Sequence, residues 1–158
     1  MKSLVIFESF FGNTEKVAMA IGTVLGEPGY VKVVRVADLQ ANDWQDADRV
    51  VIGSPTRGFQ ATPAVMNAIK KLPAGTLRGK TGAAFDTRLS VEAMKRVPGF
   101  VRFMIGIFGY GAEKIGKAMG SKGAELALPP EGFYVEDSEG PLSEGELERA
   151  AAWATKLI

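Results

Sequence analysis

The sequence predicts an α/β fold in which a parallel sheet is covered by helices on both faces. Short apolar runs, such as residues 4–7 and 50–53, alternate with segments whose apolar residues recur at helical spacing. Continuous apolar runs are typical of strands that are buried on both faces. Strands that alternate with helices favour right-handed crossovers, and these produce a parallel sheet.

The first half of the chain contains three predicted strands. The second of them is rich in β-branched residues, and Pro63 occupies the first position of a helix, where proline is favoured. In order, the predicted elements are strand 4–7, a helix through 17–25, strand 31–36, a polar loop or short helix over 37–48, strand 50–53, a loop over 54–59 and a helix from 63 to 72.

The second half continues the alternation with one irregularity. The predicted elements are strand 82–86, a helix over 113–122, a broken fifth strand over 125–128 and 132–135, and a closing helix over 143–157. Ser143 and Glu146 have the spacing of a capping box at the start of that helix. Its predicted buried face consists of Leu147, Ala150, Ala151 and Ala154.

Length and composition limit the kinds of chemistry to be expected. The 158 residues suit one domain, which we expect to span 1–158 with an apolar insertion at about 89–110. The chain has no Cys and no His, which excludes thiol nucleophiles, Ser/His triads and nearly all transition-metal sites. The net charge of +1 does not indicate a nucleic-acid partner. Any chemistry must therefore come from a bound cofactor or from Asp, Glu, Lys, Arg and Tyr side chains, and no metal site is predicted.

The ends of the chain and its apolar segments predict the compartment. The N-terminus enters a strand at once, without the pattern of a secretory signal, so we expect a cytoplasmic protein. Residues 97–110 are strongly apolar, but this stretch is too short to span a membrane and is interrupted by Arg102. We therefore predict no membrane span.

The turn from Ser9 to Thr14, between the first strand and the first helix, is a candidate phosphate site. A helix N-terminus at the carboxyl end of a sheet presents free N–H groups to an anion. The turn has no Lys or Arg and lies beside Glu8, so binding would depend on backbone N–H groups, the helix dipole and the hydroxyls of Ser9 and Thr14. This suits a phosphate monoester. The alternative is that Gly12, Asn13 and Thr14 form an ordinary helix N-cap.

Three stretches of the sequence resemble the flavodoxin family. Residues 7–15 resemble the loop that binds the FMN phosphate, residues 53–58 resemble the loop that flanks the flavin, and residues 132–149 resemble the end of bacterial flavodoxin-domain proteins. The resemblance spans nearly the whole chain. It implies a flavodoxin-like three-layer sandwich with a five-stranded parallel sheet of order 2-1-3-4-5, and it implies FMN as cofactor. Ligand loops in such a sheet follow the first and third strands.

The resemblance also implies particular cofactor contacts. Those to the phosphate would come from Ser9, Gly12, Asn13 and Thr14. One edge and face of the isoalloxazine would be lined by Ser54, Pro55, Thr56, Arg57 and Gly58, and its polar edge and other face by Asp86, Thr87 and Arg88. The expected set is completed by Phe10, Phe11 and Phe59.

The sequence departs from the family at two positions. Family loops usually carry a second Thr or Ser where Phe11 stands, so we expect weaker FMN binding, with Phe10 and Phe11 packing as staple residues. Arg57 stands where an aromatic residue usually stacks on the flavin. We expect its charge to tune the flavin potential. The alternatives are that it points to solvent or pairs with Asp86 or Glu8, and that Trp44, Phe59 or Tyr110 stacks on the ring.

The resemblance implies an FMN-binding redox protein and leaves its partner open. One hypothesis is an electron-transfer module that docks a redox partner protein. The alternative is an enzyme similar to the NAD(P)H:quinone oxidoreductases, which share the Ser-Pro-Thr-Arg loop and reduce small quinone-type acceptors. A cofactor-free interaction protein on the same scaffold is a third hypothesis. Neutral net charge weakens the first, and the lack of a recognisable nicotinamide site weakens the second.

Residues 97–110 are more apolar than a surface connection should be. Three placements are open: an extra helix packed on the domain, a contact in a homodimer, or an apolar lid beside the flavin. Because the segment follows residues 86–88, we expect it near the flavin edge, where it would select acceptors.

Overall fold

The computed structural model describes all residues from 1 to 158 and centres on one sheet of six strands. The strands are β1 Ser3–Phe7, β2 Val31–Arg35, β3 Arg49–Pro55, β4 Thr81–Leu89, β5 Glu125–Leu126 and β6 Glu131–Val135. All pairs are parallel, in the order β2-β1-β3-β4-β5, and β6 also pairs with β4. The predicted sheet order and the broken fifth strand are both confirmed.

Seven helices accompany the sheet: α1 Asn13–Leu25, α2 Ala41–Asp46, α3 Pro63–Lys70, α4 Val91–Lys95, α5 Gly99–Phe108, α6 Gly111–Ser121 and α7 Glu146–Thr155. The two apolar cores lie on opposite faces of the sheet. One contains Leu4 and Ile6 of β1 with residues of α3 and α6, and the other contains Val5 and Phe7 with residues of α1 and α7. Alternate residues of a strand point to opposite faces, which explains why an unbroken apolar run serves both cores.

Close packing at the centre of the sheet requires a glycine. Gly53 of β3 is paired with Phe85 of β4, and a Cβ atom at Gly53 would lie 2.0 Å from the Phe85 ring. The Phe85 ring in turn packs edge-on against Phe133 and Trp153. The glycine thus allows a large aromatic side chain to fill the core directly below the ends of β3 and β4.

Strands β3 and β4 both run further than the sequence pattern predicts. Ser54 and Pro55 belong to β3, and Thr87, Arg88 and Leu89 belong to β4 rather than to a loop after it. The polar end of β4 pairs with β3 on one side and with β6 on the other. Hydrogen bonding to two neighbours extends this strand beyond its apolar residues.

The predicted capping box of α7 is wrong. The helix begins at Glu146, after Gly145, and Ser143 hydrogen-bonds Glu136 instead. The buried Glu146 carboxylate accepts hydrogen bonds from the Tyr134 N–H at 2.6 Å and from Arg149 Nε at 2.8 Å. It therefore ties the helix to β6. Ala150 and Ala154 are buried as expected, whereas Leu147 is exposed.

The hydrogen bonds of the Glu146 carboxylate predict a pH-dependent contribution to the free energy of unfolding. Burial alone would raise the pKa of Glu146, but hydrogen bonds from Arg149 and the Tyr134 N–H lower it below its ordinary value. A lowered pKa stabilises the fold at neutral pH, and this contribution is lost as the pH falls through the ordinary and then the folded pKa. We expect Glu146→Gln to lower the free energy of unfolding by about 1 to 3 kcal/mol at neutral pH.

Urea unfolding measured as a function of pH tests this expectation. The difference between wild type and Glu146→Gln should shrink as the pH falls from about 5 to about 3. Glu148→Gln, on the same helix but exposed, is the matched control and should show little difference at any pH. A constant difference for Glu146→Gln would contradict the proposed charge effect.

Candidate functional site

A polar cavity of about 260 Å³ lies at the carboxyl ends of β1, β3 and β4. Most of the predicted cofactor residues line it: Ser9, Phe10, Phe11, Asn13, Thr14, Pro55, Thr56, Arg57, Gly58, Thr87 and Arg88. It is also lined by Leu89, Val135 and Ser138, which the sequence pattern does not identify. These three were missed because they enter through the pairing of β6 with the extended β4 and through the segment after β6.

One end of the cavity has the features of an anion site. Helix α1 begins at Asn13 with Gly12 as its N-cap residue, and no side chain of Asn13 or Thr14 makes a capping hydrogen bond. Gly12 precedes it with a φ of 89°, a left-handed conformation that glycine adopts without strain. Its N–H is held by Ser9 Oγ at 3.0 Å, and Thr14 Oγ1 lies 2.8 Å from Thr87 Oγ1. The N–H groups of the first turn are therefore available to an anion.

Arg35, at the end of β2, supplies the positive charge that the turn itself lacks. Its Nη1 donates to Glu8 Oε1 at 2.6 Å and to the Ser9 carbonyl at 2.7 Å, and its Nη2 donates to Glu15 at 3.2 Å. It reaches them because Arg35 is paired with Phe7 in the sheet. One guanidinium thus pairs with two carboxylates beside the anion site, offsets one of their two negative charges and holds the backbone of the turn.

Asp86 lies beneath the cavity and does not line it. Its side chain is fully buried and accepts hydrogen bonds from Arg88 Nε at 2.7 Å, Arg88 Nη2 at 2.9 Å, Thr56 Oγ1 at 3.0 Å and the Ala112 N–H at 2.9 Å. Burial raises the pKa of the Asp86 carboxyl, and the Arg88 guanidinium acts in the opposite direction. Asp86 therefore positions two residues that do line the cavity.

Three other predicted cofactor residues also lie outside the cavity lining. Ser54 is buried, and its Oγ accepts a hydrogen bond from the Thr62 N–H at 2.8 Å, which fixes the loop after β3. Phe59 packs against Phe108 with ring centroids 5.9 Å apart. Gly12 shapes the turn. These three residues therefore shape the loops around the cavity rather than line it.

Arg57 and two phenylalanines form one rim of the cavity. The Arg57 guanidinium lies 5.1 Å from the Phe10 ring centroid and 5.8 Å from that of Phe11. Glu8 is paired with Arg35 and Asp86 with Arg88, so the alternative that Arg57 pairs with either carboxylate is wrong. Phe10 and Phe11 are 56% and 48% exposed, and the expectation that they pack as staple residues is also wrong.

A second, apolar cavity of about 210 Å³ adjoins the first. The two share Thr56, Gly58, Arg88 and Leu89, and the second is otherwise lined by Phe59, Met94, Val101, Ile105 and Tyr110. Tyr110 covers the Arg88 guanidinium, with 3.7 Å between its ring centroid and Arg88 Cζ. Trp44, another candidate for stacking, lies in the core. Helix α5 therefore covers an apolar space that opens beside the polar one.

Comparison with known proteins places the chain in a family. Residues 4–96 match the sequence profile described as a flavodoxin domain. The chain belongs to the flavodoxin domain family. No curated protein sequence matches it. Helices α1 and α3, the polar ends of β3 and β4, and much of the polar cavity fall within the matched range of this flavodoxin domain.

Solved structures share the fold at low sequence identity. A flavodoxin from the domain Archaea superimposes with a TM-score of 0.72 at 19% identity, over 99% of this chain and 96% of that one. Oxidised flavodoxin 1 from Bacillus cereus gives 0.72 at 20% identity, over 99% and 96%. A WrbA-like flavodoxin from Agrobacterium tumefaciens gives 0.68 at 17% identity, over 98% and 93%. These similarities confirm the three-layer flavodoxin fold.

The residues of this flavodoxin domain fit FMN, the cofactor of the family. The uncapped start of α1, with the buried Ser9, Asn13 and Thr14, suits a phosphate monoester that needs no metal. Asn13 Nδ2 donates to the Glu139 carbonyl at 3.1 Å, which holds the segment after β6 beside the turn. Family and geometry both favour an FMN-binding redox protein over a cofactor-free one. None of its helices has the length and apolar character needed to cross a membrane.

Proposed function

We propose that this flavodoxin domain transfers electrons from FMN to a small apolar acceptor of quinone type. The observation that supports the proposal is the apolar cavity that adjoins the polar one and shares Thr56, Gly58, Arg88 and Leu89 with it. Bound FMN supplies reversible one- and two-electron chemistry, and the protein supplies position, access and electrostatics. An acceptor in the apolar cavity would lie next to the residues that flank the cofactor.

Within this proposal the lining residues have separate roles. Ser9, Asn13, Thr14 and the first turn of α1 would bind the phosphate. The loop after β3, with Arg57 at the rim, would hold one side of the flavin, and Thr87 and Arg88 would hold the other. Asp86 and Ser54 hold these groups in place from below.

Anaerobic stopped-flow spectroscopy with NADH, NADPH and a soluble short-chain quinone tests the proposal. We expect Ile105→Trp, which fills the apolar cavity, to slow reoxidation by the quinone at least about tenfold, because a filled site loses most of its acceptor binding. Ile107→Trp on the exposed side of α5 is the matched control. FMN content should be unchanged in both variants. Equal rates in the two variants would contradict an acceptor site in this cavity.

A redox partner protein is the second candidate acceptor. The exposed Phe10 and Phe11 at the cavity rim favour it, because exposed aromatic side chains are frequent in contact surfaces. Slow reaction with every quinone, together with rapid electron exchange with a carrier protein, would favour this function instead.

The position of Arg57 predicts a shift in the flavin potential. Reduced flavin is commonly an anion, and a positive charge about 6 Å away contributes about 3 kcal/mol at an effective dielectric constant of about 20. Arg57 is exposed, so solvent reduces this to a shift of some tens of millivolts. We expect Arg57→Ala to lower the midpoint potential of the bound flavin and Arg57→Lys to restore part of it.

Redox titration of the FMN-loaded variants measures this shift. Arg102→Ala, which removes the same charge from exposed α5, is the control and should change the potential less. An unchanged potential in Arg57→Ala would remove Arg57 from the flavin environment.

A further inference from the structure

Helix α5 presents an exposed apolar face that the domain does not cover. Phe100, Phe103 and Ile107 are 71%, 67% and 59% exposed, and their spacing places them on one side of the helix. No residue of α5 is buried. Val101 and Ile105, on the other side, line the apolar cavity. The helix thus separates that cavity from an outer surface that is also apolar.

The segment that carries this face has more basic than acidic residues. No acidic residue occurs between Glu92 and Glu113, whereas Lys95, Arg96 and Arg102 all lie in this range and are exposed. Lys95 contacts Glu92 in an exposed pair, which leaves the segment from 91 to 112 with more positive than negative charge. The whole chain has a net charge of only +1, so this basic character is local.

We propose that α5 docks this protein on the surface of an anionic phospholipid bilayer. A short helix with exposed aromatic side chains and nearby basic residues binds favourably at the boundary between lipid headgroups and acyl chains. The apolar face would enter the acyl region, while Lys95, Arg96 and Arg102 would meet lipid phosphates. A second copy is a poorer occupant, because a two-fold interface would bring the same basic residues of both subunits together.

Docking has a consequence for the site, and this consequence rests on the proposed function. Since Val101 and Ile105 of α5 line the apolar cavity, a bilayer on the outer face of this helix would lie beside that cavity. An acceptor dissolved in the membrane would reach the cavity without crossing bulk water. The docking itself does not depend on which acceptor is used.

Co-sedimentation of the FMN-loaded full chain with vesicles tests the docking directly. We expect binding to vesicles made from equal amounts of phosphatidylcholine and phosphatidylglycerol, and much weaker binding to phosphatidylcholine alone. Phe103→Ser with Ile107→Ser should weaken binding by at least about tenfold, because each side chain loses its transfer into the apolar layer. Arg102→Glu should weaken vesicle binding by about fivefold or more. Added salt should also weaken vesicle binding, because it screens the attraction between basic residues and lipid phosphates.

Tyr30→Ser is the matched control, since Tyr30 is 62% exposed and lies next to β2 at the far edge of the sheet from β4. It should bind vesicles like the wild type, and FMN content should be equal in all variants. Absence of vesicle binding, or binding that Phe103→Ser with Ile107→Ser leaves unchanged, would overturn the proposal. So would a dimer in analytical ultracentrifugation that depends on Phe103 while vesicles are not bound. Vesicle binding without reaction of the soluble quinone would overturn only the proposed function.

Discussion

Asp86→Ala is expected to lower the free energy of unfolding by about 3 to 5 kcal/mol, the largest effect of any single polar substitution in the site. The Asp86 side chain is fully buried and accepts from Arg88, Thr56 and the Ala112 N–H. Its removal leaves a largely buried guanidinium without a counter-charge and two donors without an acceptor. Urea unfolding of the cofactor-free protein measures the loss.

Two further variants separate the charge from the rest of the network. Asp86→Ala combined with Arg88→Met should recover part of the loss, because no unpaired charge remains buried. Glu92→Ala removes a carboxylate from the exposed pair with Lys95 and should cost less than about 0.5 kcal/mol. If Asp86→Ala were no more costly than Glu92→Ala, the buried network would not stabilise the fold.

The second large effect concerns Arg35. This residue lies at the end of β2 and contacts the turn from Ser9 to Thr14, the candidate phosphate site. Arg35→Ala leaves Glu8 and Glu15 without a counter-charge beside the anion site and releases the Ser9 carbonyl. We expect FMN affinity to fall by about 10- to 100-fold, equivalent to about 1.4 to 2.8 kcal/mol. Titration of FMN followed by the quenching of its fluorescence measures the affinity.

The supporting variants for Arg35 test its role as a positioning residue. Arg35→Lys should restore only part of the affinity, because an ammonium cannot bridge both carboxylates as the guanidinium fork does. Adding Glu8→Gln to Arg35→Ala should recover affinity, since it removes one of the uncompensated negative charges. Arg78→Ala removes an equal charge before β4, at the end of the sheet away from the cavity, and should leave the affinity unchanged. A similar loss in Arg78→Ala would mean that only net charge matters.

Asp86 and Arg35 both have roles in the structure that differ from those predicted from the sequence. Asp86 is expected from the sequence to contact the flavin, yet the structure buries it below the cavity as the acceptor for Arg88 and Thr56. The sequence predicts no role for Arg35, yet its guanidinium hydrogen-bonds Glu8 and the Ser9 carbonyl at the start of the turn from Ser9 to Thr14. Thr56 is 30 residues from Asp86 in the chain and Glu8 is 27 residues from Arg35, and the pairing of neighbouring strands brings each of these pairs together.

The sequence alone is enough for the order of the strands, the parallel sheet and the position of the glycine-containing turn from Ser9 to Thr14. These features depend on local physics: an apolar run of four or five residues forms a strand buried on both faces, and a glycine-containing turn before a helical pattern exposes free N–H groups. The motif residues Ser9, Thr14, Thr56 and Arg57 follow apolar runs directly. Their meeting at one edge of the sheet follows from parallel strand order.

Only the tertiary structure decides how far each polar residue lies from the cavity and which groups it pairs with. Pairing with β3 and β6 extends β4 through Leu89, and this buries Asp86 and places Leu89 and Val135 in the lining. Glu146 leaves its predicted cap because a strand N–H and Arg149 satisfy its carboxylate better. Helix α5 leaves Phe103 exposed because its other side covers a cavity rather than the core. The same physical reason applies to Asp86, Glu146 and α5. Whether a side chain is buried or hydrogen-bonded depends on residues that are near in space but distant in the chain, and a local sequence pattern does not specify which residues these are.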